Sequence, residues 1–431
     1  MTAQSITGTT VITNRILRLA MVAICCISVC CTQGSASSNV APSDASTTHF
    51  VHATGPSEIG RPAGVKKSDV DAVAVEQNGR NVPVDFQATD AGLIITPCTD
   101  LEGGVSCTIK VFTRMGKRYP ISARVEEFPS LTPDRRGVIK MPAKPSKGFN
   151  YAYFLCVPES IDRSASQRLL VQGNNDPSAT GANPAYAESS ARNYISHGWG
   201  RRIADGLRVP YLMPVFPRQY FNRQPDYAYL QFLDRGTLTI KGKEERADLQ
   251  LIAMITDARQ FLALNGIKME EKVFMIGFSS DGKFSQRFTV LHPDLVAAAF
   301  AGGIAGITTF PLSEYKGEKL CYPIGVADLK ELTGKEFDKA EYSKVPQLFC
   351  MGENETTDAV EYPDCYPKED AEQIRRLFGR KVMPDRWAAA RQVLADSAPN
   401  VQCKTFPGIG HDVNNEVTND VVKFFQDHGS R

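Results

Sequence analysis

Across residues 151–431, short apolar runs of strand length alternate with longer segments that carry one apolar face. This predicts an α/β fold with a mostly parallel sheet flanked by helices on both faces. Residues 49–128 differ, holding only short strand-like runs separated by turn residues, and predict a small all-β, sandwich-like domain ahead of it. A chain of 431 residues with 42% apolar residues can bury a large core, and its length suggests two domains or one large one with insertions.

Taken in chain order, Arg15 and Arg18 precede the apolar run 19–31 (LAMVAICCISVCC), which is short of the about 20 residues that span a membrane. Residues 1–36 therefore read as an export signal, with Gly34-Ser35-Ala36 as a small-residue cleavage site, and no transmembrane span is expected in the mature chain. Acylation at Cys30 or Cys31 is the lipoprotein alternative, with Val29 or Cys30 standing where a small residue is preferred. Residues 37–48 form a Ser/Thr/Ala-rich linker. In the β region, runs at 72–75 and 82–86 flank Asn78-Gly79, a run at 93–96 precedes Cys98, and runs at 107–113 and 119–125 follow. Residues 129–150, with Pro129, Pro133, Pro142 and Pro145, read as a stiff connector.

Strands are expected at 151–157, 169–172, 209–215, 272–276, 296–301, 345–351 and 401–406. Leu251, Met254, Ile255, Ala258, Phe261 and Leu262 share one face of a helix over about 246–265, with Gly266 as its C-terminal stop. Further helices are expected near 368–378, 385–394 and 416–426. Residues 308–344 exceed an ordinary connection and read as an insertion, a candidate lid or substrate-contacting element.

Forty-nine Lys and Arg balance 48 Asp and Glu with no long basic run, so nothing favours nucleic acid or an anionic membrane surface as partner. Of eleven cysteines, seven lie outside the signal: Cys98, Cys107, Cys156, Cys321, Cys350, Cys365 and Cys403. Cys98 and Cys107 flank a turn-rich link and are placed to staple a hairpin in an oxidising compartment, whereas Cys156 and Cys350 sit in apolar runs that favour free thiols. No cysteine spacing resembles a zinc site, and no metal or organic cofactor is implied.

The chemistry is concentrated in VFMIGFSSDG, residues 273–282, an apolar run ending in Gly-Phe-Ser before a helix-like segment. A nucleophile held on a strained strand-to-helix turn needs small residues around it, and Gly277 stands two positions before Ser279. The alternative register centres on Ser280, which has Gly282 after it but bulky Phe278 before it. A serine hydroxyl needs a histidine to take its proton and a carboxylate to orient that histidine. Downstream, His411 lies in the glycine-rich loop PGIGHD, while His292 reads as a helix-end residue and His428 lies in the tail. In MGENETTD at 351–358, Glu355 is placed ahead of Asp358 as the acid. The Ser280 N–H and the loop Gly173-Asn174-Asn175-Asp176, with Asn175 ahead of Asn174, supply the expected oxyanion hole.

With GFSSDG at 277–282, MGENETTD at 351–358 and GIGHD at 408–412, in the order Ser, acid, His, residues 151–431 resemble the α/β-hydrolase fold family. They look most like its exported serine esterase branch, which includes polyhydroxyalkanoate depolymerases and feruloyl esterases. The resemblance implies hydrolysis of small-molecule or polymeric carboxylic esters through an acyl-enzyme intermediate. Two departures stand out: Asp281 occupies the place of a small residue, and Glu355 stands where Asp is usual. Tyr315, Tyr322 and Phe337 of the insertion, with Tyr220, Phe221, Tyr227, Tyr229 and Phe232, are candidates to line a substrate pocket or to pack under long loops. The competing readings are a serine peptidase of the prolyl-oligopeptidase kind, for which the β region is too small to form a propeller, and a catalytically silent binding protein. Asp281 is the best evidence for the silent protein, and the intact Ser, acid, His order argues against it.

Overall fold

The computed structural model describes residues 49–51, 57–90, 92–98, 101–102, 105–125, 133–134, 137–175, 184–219 and 227–428. The expected export signal and linker, Cys30 and Cys31, Asp176, Tyr220 and Phe221 lie outside them.

The β region forms two sheets around one apolar core. Strands Val70–Gln77, Ser106–Thr113 and Arg118–Val125, with His49–Val51 and Arg80–Val82, make a five-stranded sheet. Ser57–Ile59, Leu93–Pro97 and Val84–Ala88 make a three-stranded one. Val75, Ile109 and Val111 of the first meet Leu93 and Ile95 of the second in a shared core. Asn78 and Gly79 both take positive φ, 52° and 74°, which suits the right-handed strand twist at a two-residue hairpin turn. The expected single strand at 82–86 is broken at Pro83, whose missing N–H cannot join a ladder. The expected staple is also corrected: Cys98 and Cys107 are free, Cys98 exposed and Cys107 buried inside its strand, as are the other five cysteines of the described residues.

The second sheet has eight strands: β1 (Val138–Met141), β2 (Tyr153–Cys156), β3 (Leu170–Gln172), β4 (Tyr211–Pro214), β5 (Val273–Phe278), β6 (Val296–Gly302), β7 (Gln347–Gly352) and β8 (Val401–Phe406). Their spatial order is β1-β2-β4-β3-β5-β6-β7-β8, with β2 antiparallel to both its neighbours and all other pairs parallel. The expected parallel sheet is therefore present, but it begins at Val138, inside the stretch read as a connector. β1 is an edge strand of only four residues between prolines, too short to show a period. Every residue of β2, β3, β4 and β7 is buried, which explains why the central strands read as continuous apolar runs rather than alternating ones.

Helices cover both faces. α1 (Pro184–His197), α2 (Trp199–Leu207) and α7 (Asn415–His428) pack on one. α3 (Ala247–Leu264), α4 (Ser280–Leu291), α5 (Lys368–Phe378) and α6 (Trp387–Ser397) pack on the other. α3 buries Leu251, Met254, Ile255, Ala258, Phe261 and Leu262, and Gly266 closes it at φ 75°. α1 and α2 were not legible in advance: α1 fully buries Ala187, Ala191 and Ile195 and half-buries Tyr194, a stripe too small to stand out among serines and alanines. No helix among the described residues is long and apolar enough to cross a membrane.

The insertion 308–344 folds into a two-stranded hairpin (Glu314–Tyr315 with Glu318–Lys319) and two short helices (Leu329–Thr333 and Lys339–Tyr342). It is packed down rather than free-standing. Thr309 Oγ1 donates to Pro323 O at 2.6 Å, Gln286 Nε2 of α4 donates to Thr309 O at 2.6 Å, and the Tyr322 hydroxyl donates to Leu233 O.

The β1–β2 edge is fastened to α3 through one buried carboxylate. Asp257, 1% exposed, accepts from Lys144 Nζ at 3.0 and 2.9 Å, from Lys147 Nζ at 3.2 Å and from Tyr153 Oη at 2.9 Å. Losing a buried carboxylate that is paired and hydrogen-bonded in this way costs about 3–5 kcal/mol. Asp257→Ala should lower the urea midpoint accordingly, and an unchanged midpoint would show that this fastening contributes nothing.

Candidate active site

The site begins with a backbone conformation. Ser279, between the end of β5 and the start of α4, has φ 64° and ψ −122°, a region costly to a residue bearing a Cβ. Ser280 is the first helical residue, so the strained position at the junction is Ser279. The Ser279 N–H donates to Gly302 O of β6 at 2.9 Å, and Lys283 N donates to Ser279 O at 3.1 Å, which hold the turn from both sides. A Cβ on Gly277 would lie 1.9 Å from Asp281 O, and one on Gly282 would lie 2.6 Å from Gly302 O. The demand for small residues thus falls on 277 and 282. Position 281 is free of it: its side chain turns inward beneath the elbow, away from the site.

His411 stands on the loop after β8, and that loop is built against the loop after β7. Asn354 N donates to Ile409 O at 2.8 Å, and Gly408 N donates to Glu353 Oε2 at 2.8 Å. Gly352 permits the contact, since a Cβ there would meet Gly410 O at 2.3 Å and Ile409 O at 2.4 Å. The pairing delivers Glu355 to His411: Nδ1 and Oε2 are 2.5 Å apart, with the carboxylate side chain fully buried and the imidazole 28% exposed. Glu355 Oε1 accepts the Thr357 N–H at 2.8 Å, so both carboxylate oxygens are used. A carboxylate on Nδ1 places the proton there and leaves Nε2 as the basic nitrogen. The imidazole ring lies 4.8 Å from the Phe278 ring, beside the elbow. Among the described residues the Ser279 hydroxyl makes no hydrogen bond, to His411 or to any other group.

The other sequence candidates take different positions. Asp358 pairs with buried Arg386 and caps the short turn Ala359–Glu361 through the Val360 N–H at 3.0 Å. It is engaged away from His411. His292 ends α4 and is held by Asp248, with Nε2 and Oδ2 2.8 Å apart, far down the helix from Ser279. Asn174 is locked to Phe216, donating from Nδ2 to its O at 2.8 Å and accepting its N–H at 3.2 Å on Oδ1. Asn175 lies against the elbow: Nδ2 donates to Phe278 O at 3.3 Å, and Oδ1 accepts from Ser280 Oγ at 3.3 Å. Ser280, as first residue of α4, has no intrahelical acceptor for its N–H.

The insertion aromatics pack rather than line the site. Tyr322 is buried, Tyr315 stacks on Phe378 at 5.4 Å, and Phe337 meets Tyr342 edge-on. From the connection after β4 comes Tyr229, which is buried. It stands in a column in which Arg218 lies over Tyr229, Tyr229 stacks on Phe232 at 5.3 Å, and Arg287 lies over Phe232 at 4.2 Å. Lys283 and Arg287, one and two turns along α4, are buried beneath this wall. Lys283 donates to Ile307 O, and burial holds its ammonium well below the ordinary lysine range.

Beneath the elbow, Asp281 Oδ1 accepts the Phe278 N–H at 2.6 Å and Oδ2 accepts from Gln172 Nε2 at 2.5 Å. Gln172 Oε1 accepts from Tyr211 Oη at 2.6 Å. Gln172 carried no signal in the sequence, because a polar residue ending a buried strand gains a role only through its neighbours.

No protein-family model and no curated protein matches this sequence. Among solved structures the chain is similar to poly(aspartic acid) hydrolase-1 from Sphingomonas sp. KT-1, at 19% identity over 67% of this chain and 97% of that one, with a TM-score of 0.43. It is also similar to an S-formylglutathione hydrolase from Agrobacterium tumefaciens, at 13% identity, 68% and 94% coverage and a TM-score of 0.38. An acetyl xylan esterase from Aspergillus awamori matches at 14% identity, 67% and 99% coverage and a TM-score of 0.35. These neighbours are hydrolases and esterases, at a likeness too low to add to the geometry.

Burial pushes the Asp281 carboxyl up to about 8, against the hydrogen bonds that favour its charged form. Between the ordinary carboxylate value and about 8 the folded chain then holds one proton more than the unfolded chain. The stabilisation this gives is complete below the ordinary value, declines as pH rises, and is gone above about 8. Asp281→Asn removes that slope. The melting temperature of the wild type should fall relative to the variant as pH is raised toward 8, and parallel curves would contradict a neutral Asp281.

Proposed function

We propose that this protein is an exported serine hydrolase that cleaves carboxylic esters. The observation that carries the reading is Ser279 at positive φ on the strand-to-helix turn, beside a histidine whose Nδ1 is engaged by a buried glutamate. In this reading His411 Nε2 takes the Ser279 proton as Oγ attacks the ester carbonyl. Glu355 holds the imidazole in the required tautomer and stabilises the imidazolium. The Ser280 N–H and the Asn175 backbone receive the oxyanion. The alcohol departs with the proton from His411, and water, activated by the same imidazole, releases the acid from the acyl-enzyme.

The silent-protein alternative loses its main support, because the Asp281 side chain is buried under the elbow and bonded to Phe278 and Gln172. Glu355 stays ahead of Asp358 as the proposed acid, because Asp358 is paired with Arg386. Export rests on the sequence of residues 1–36, and the β domain is proposed either to position the hydrolase on a polymer or cell surface or only to pack against it.

The test is turnover of short and medium p-nitrophenyl esters by the mature protein. Ser279→Ala and His411→Ala should each lower kcat by about 10³-fold or more, and Glu355→Gln by about 10²- to 10⁴-fold with KM little changed. Absence of turnover by a folded wild type on any such ester would contradict the proposal.

A further inference from the structure

Asp281 is the residue at which this elbow departs most from expectation, and its surroundings give it a task. Gly173 makes room for it: a Cβ at 173 would stand 3.2 Å from Asp281 Cβ. Its Oδ1 bridges back to the Phe278 N–H, spanning the turn whose apex is Ser279. Its Oδ2 meets Gln172 of β3, which meets Tyr211 of β4, and α2 closes the line. A Cβ on Gly200 would come 2.1 Å from Gln172 Oε1 and 2.5 Å from the Tyr211 hydroxyl. The line crosses three adjacent strands wholly inside the protein, with Asp281 and Gln172 1% exposed and Tyr211 fully buried.

Resting on the reading of Ser279 as nucleophile, we propose that Asp281 is a positioning residue that clamps the nucleophile turn from beneath. Its carboxyl does so in the neutral form, which leaves the N-terminus of α4 free to stabilise negative charge at the Ser280 N–H. A carboxylate in the first turn of α4 would satisfy the positive end of the helix itself, and so weaken the field that an oxyanion at that N–H depends on. Among the described residues no cation pairs with Asp281. The titratable group facing it is Tyr211, through Gln172, with Cys156 and Arg201 beyond Tyr211. A neutral acid donates its proton to Gln172 Oε1 once the amide is turned over, and Gln172 Nε2 then donates to the Tyr211 oxygen. Proton and amide orientation therefore move together.

The experiment is kcat/KM for p-nitrophenyl acetate between about pH 6 and about pH 9. It compares wild type, Asp281→Asn and Asp281→Ala, with folding checked by circular dichroism. Wild type should lose activity several-fold as pH rises through about 8. Asp281→Asn, neutral and of the same size, should lack that fall and stay within a few-fold of wild type near neutrality. Asp281→Ala, with the clamp gone, should be slower by about tenfold or more at every pH. Wild-type rates in Asp281→Ala, or the same alkaline fall in Asp281→Asn, would overturn this inference alone. A wild type with no turnover would instead contradict the nucleophile reading on which it rests.

Discussion

The site depends on holding one serine in a backbone region it would not choose. A strained φ, ψ pair costs about 1–3 kcal/mol and persists only where the surroundings over-determine it. Here they do so by close contact. β6 receives the Ser279 N–H, and the backbone of α4 comes so near β5 and β6 that only glycine fits at 277 and 282. The eight-stranded sheet supplies the rigidity. Its central strands are buried on both faces, so the turn at the end of β5 cannot relax without opening a close-packed core.

The proposed base and its acid stand on two loops that have little in common in sequence but emerge side by side, because β7 and β8 are parallel neighbours in register. Gly352 ends β7 where the β8 loop crosses it, and the chain then has three residues in which to turn Glu355 inward. Glutamate, one methylene longer than aspartate, reaches Nδ1 from this loop at 2.5 Å. Asp358 lies too far along and is drawn to Arg386, a buried cation that needs a counter-charge.

Much of this was legible in the sequence, for identifiable reasons. The central strands announced themselves as apolar runs, α3 by its 3.6-residue period, and the elbow, acid and histidine loops by glycines next to reactive side chains. The sequence was silent where the signal is relational. β1 is too short and too proline-flanked to read as a strand, and α1 fully buries a stripe of only Ala187, Ala191 and Ile195. The packing role of Tyr315 and Tyr322 depends on what lies across from them. Asp281 looked like a defect when judged against the elbow pattern alone. Only the placement of Gly173, Gln172 and Tyr211 shows that its carboxyl has room and polar partners there. The proposed hairpin staple failed because Cys107 points into the β core while Cys98 faces solvent.

The central claim is that Ser279, and not its neighbour Ser280, is the activated nucleophile. Treating the mature wild-type protein with a fluorophosphonate, in which a serine oxygen displaces fluoride from phosphorus, and sequencing the modified peptide by mass spectrometry tests this most directly. The account predicts a single adduct on Ser279. An adduct on Ser280, or none on a folded protein, would contradict it.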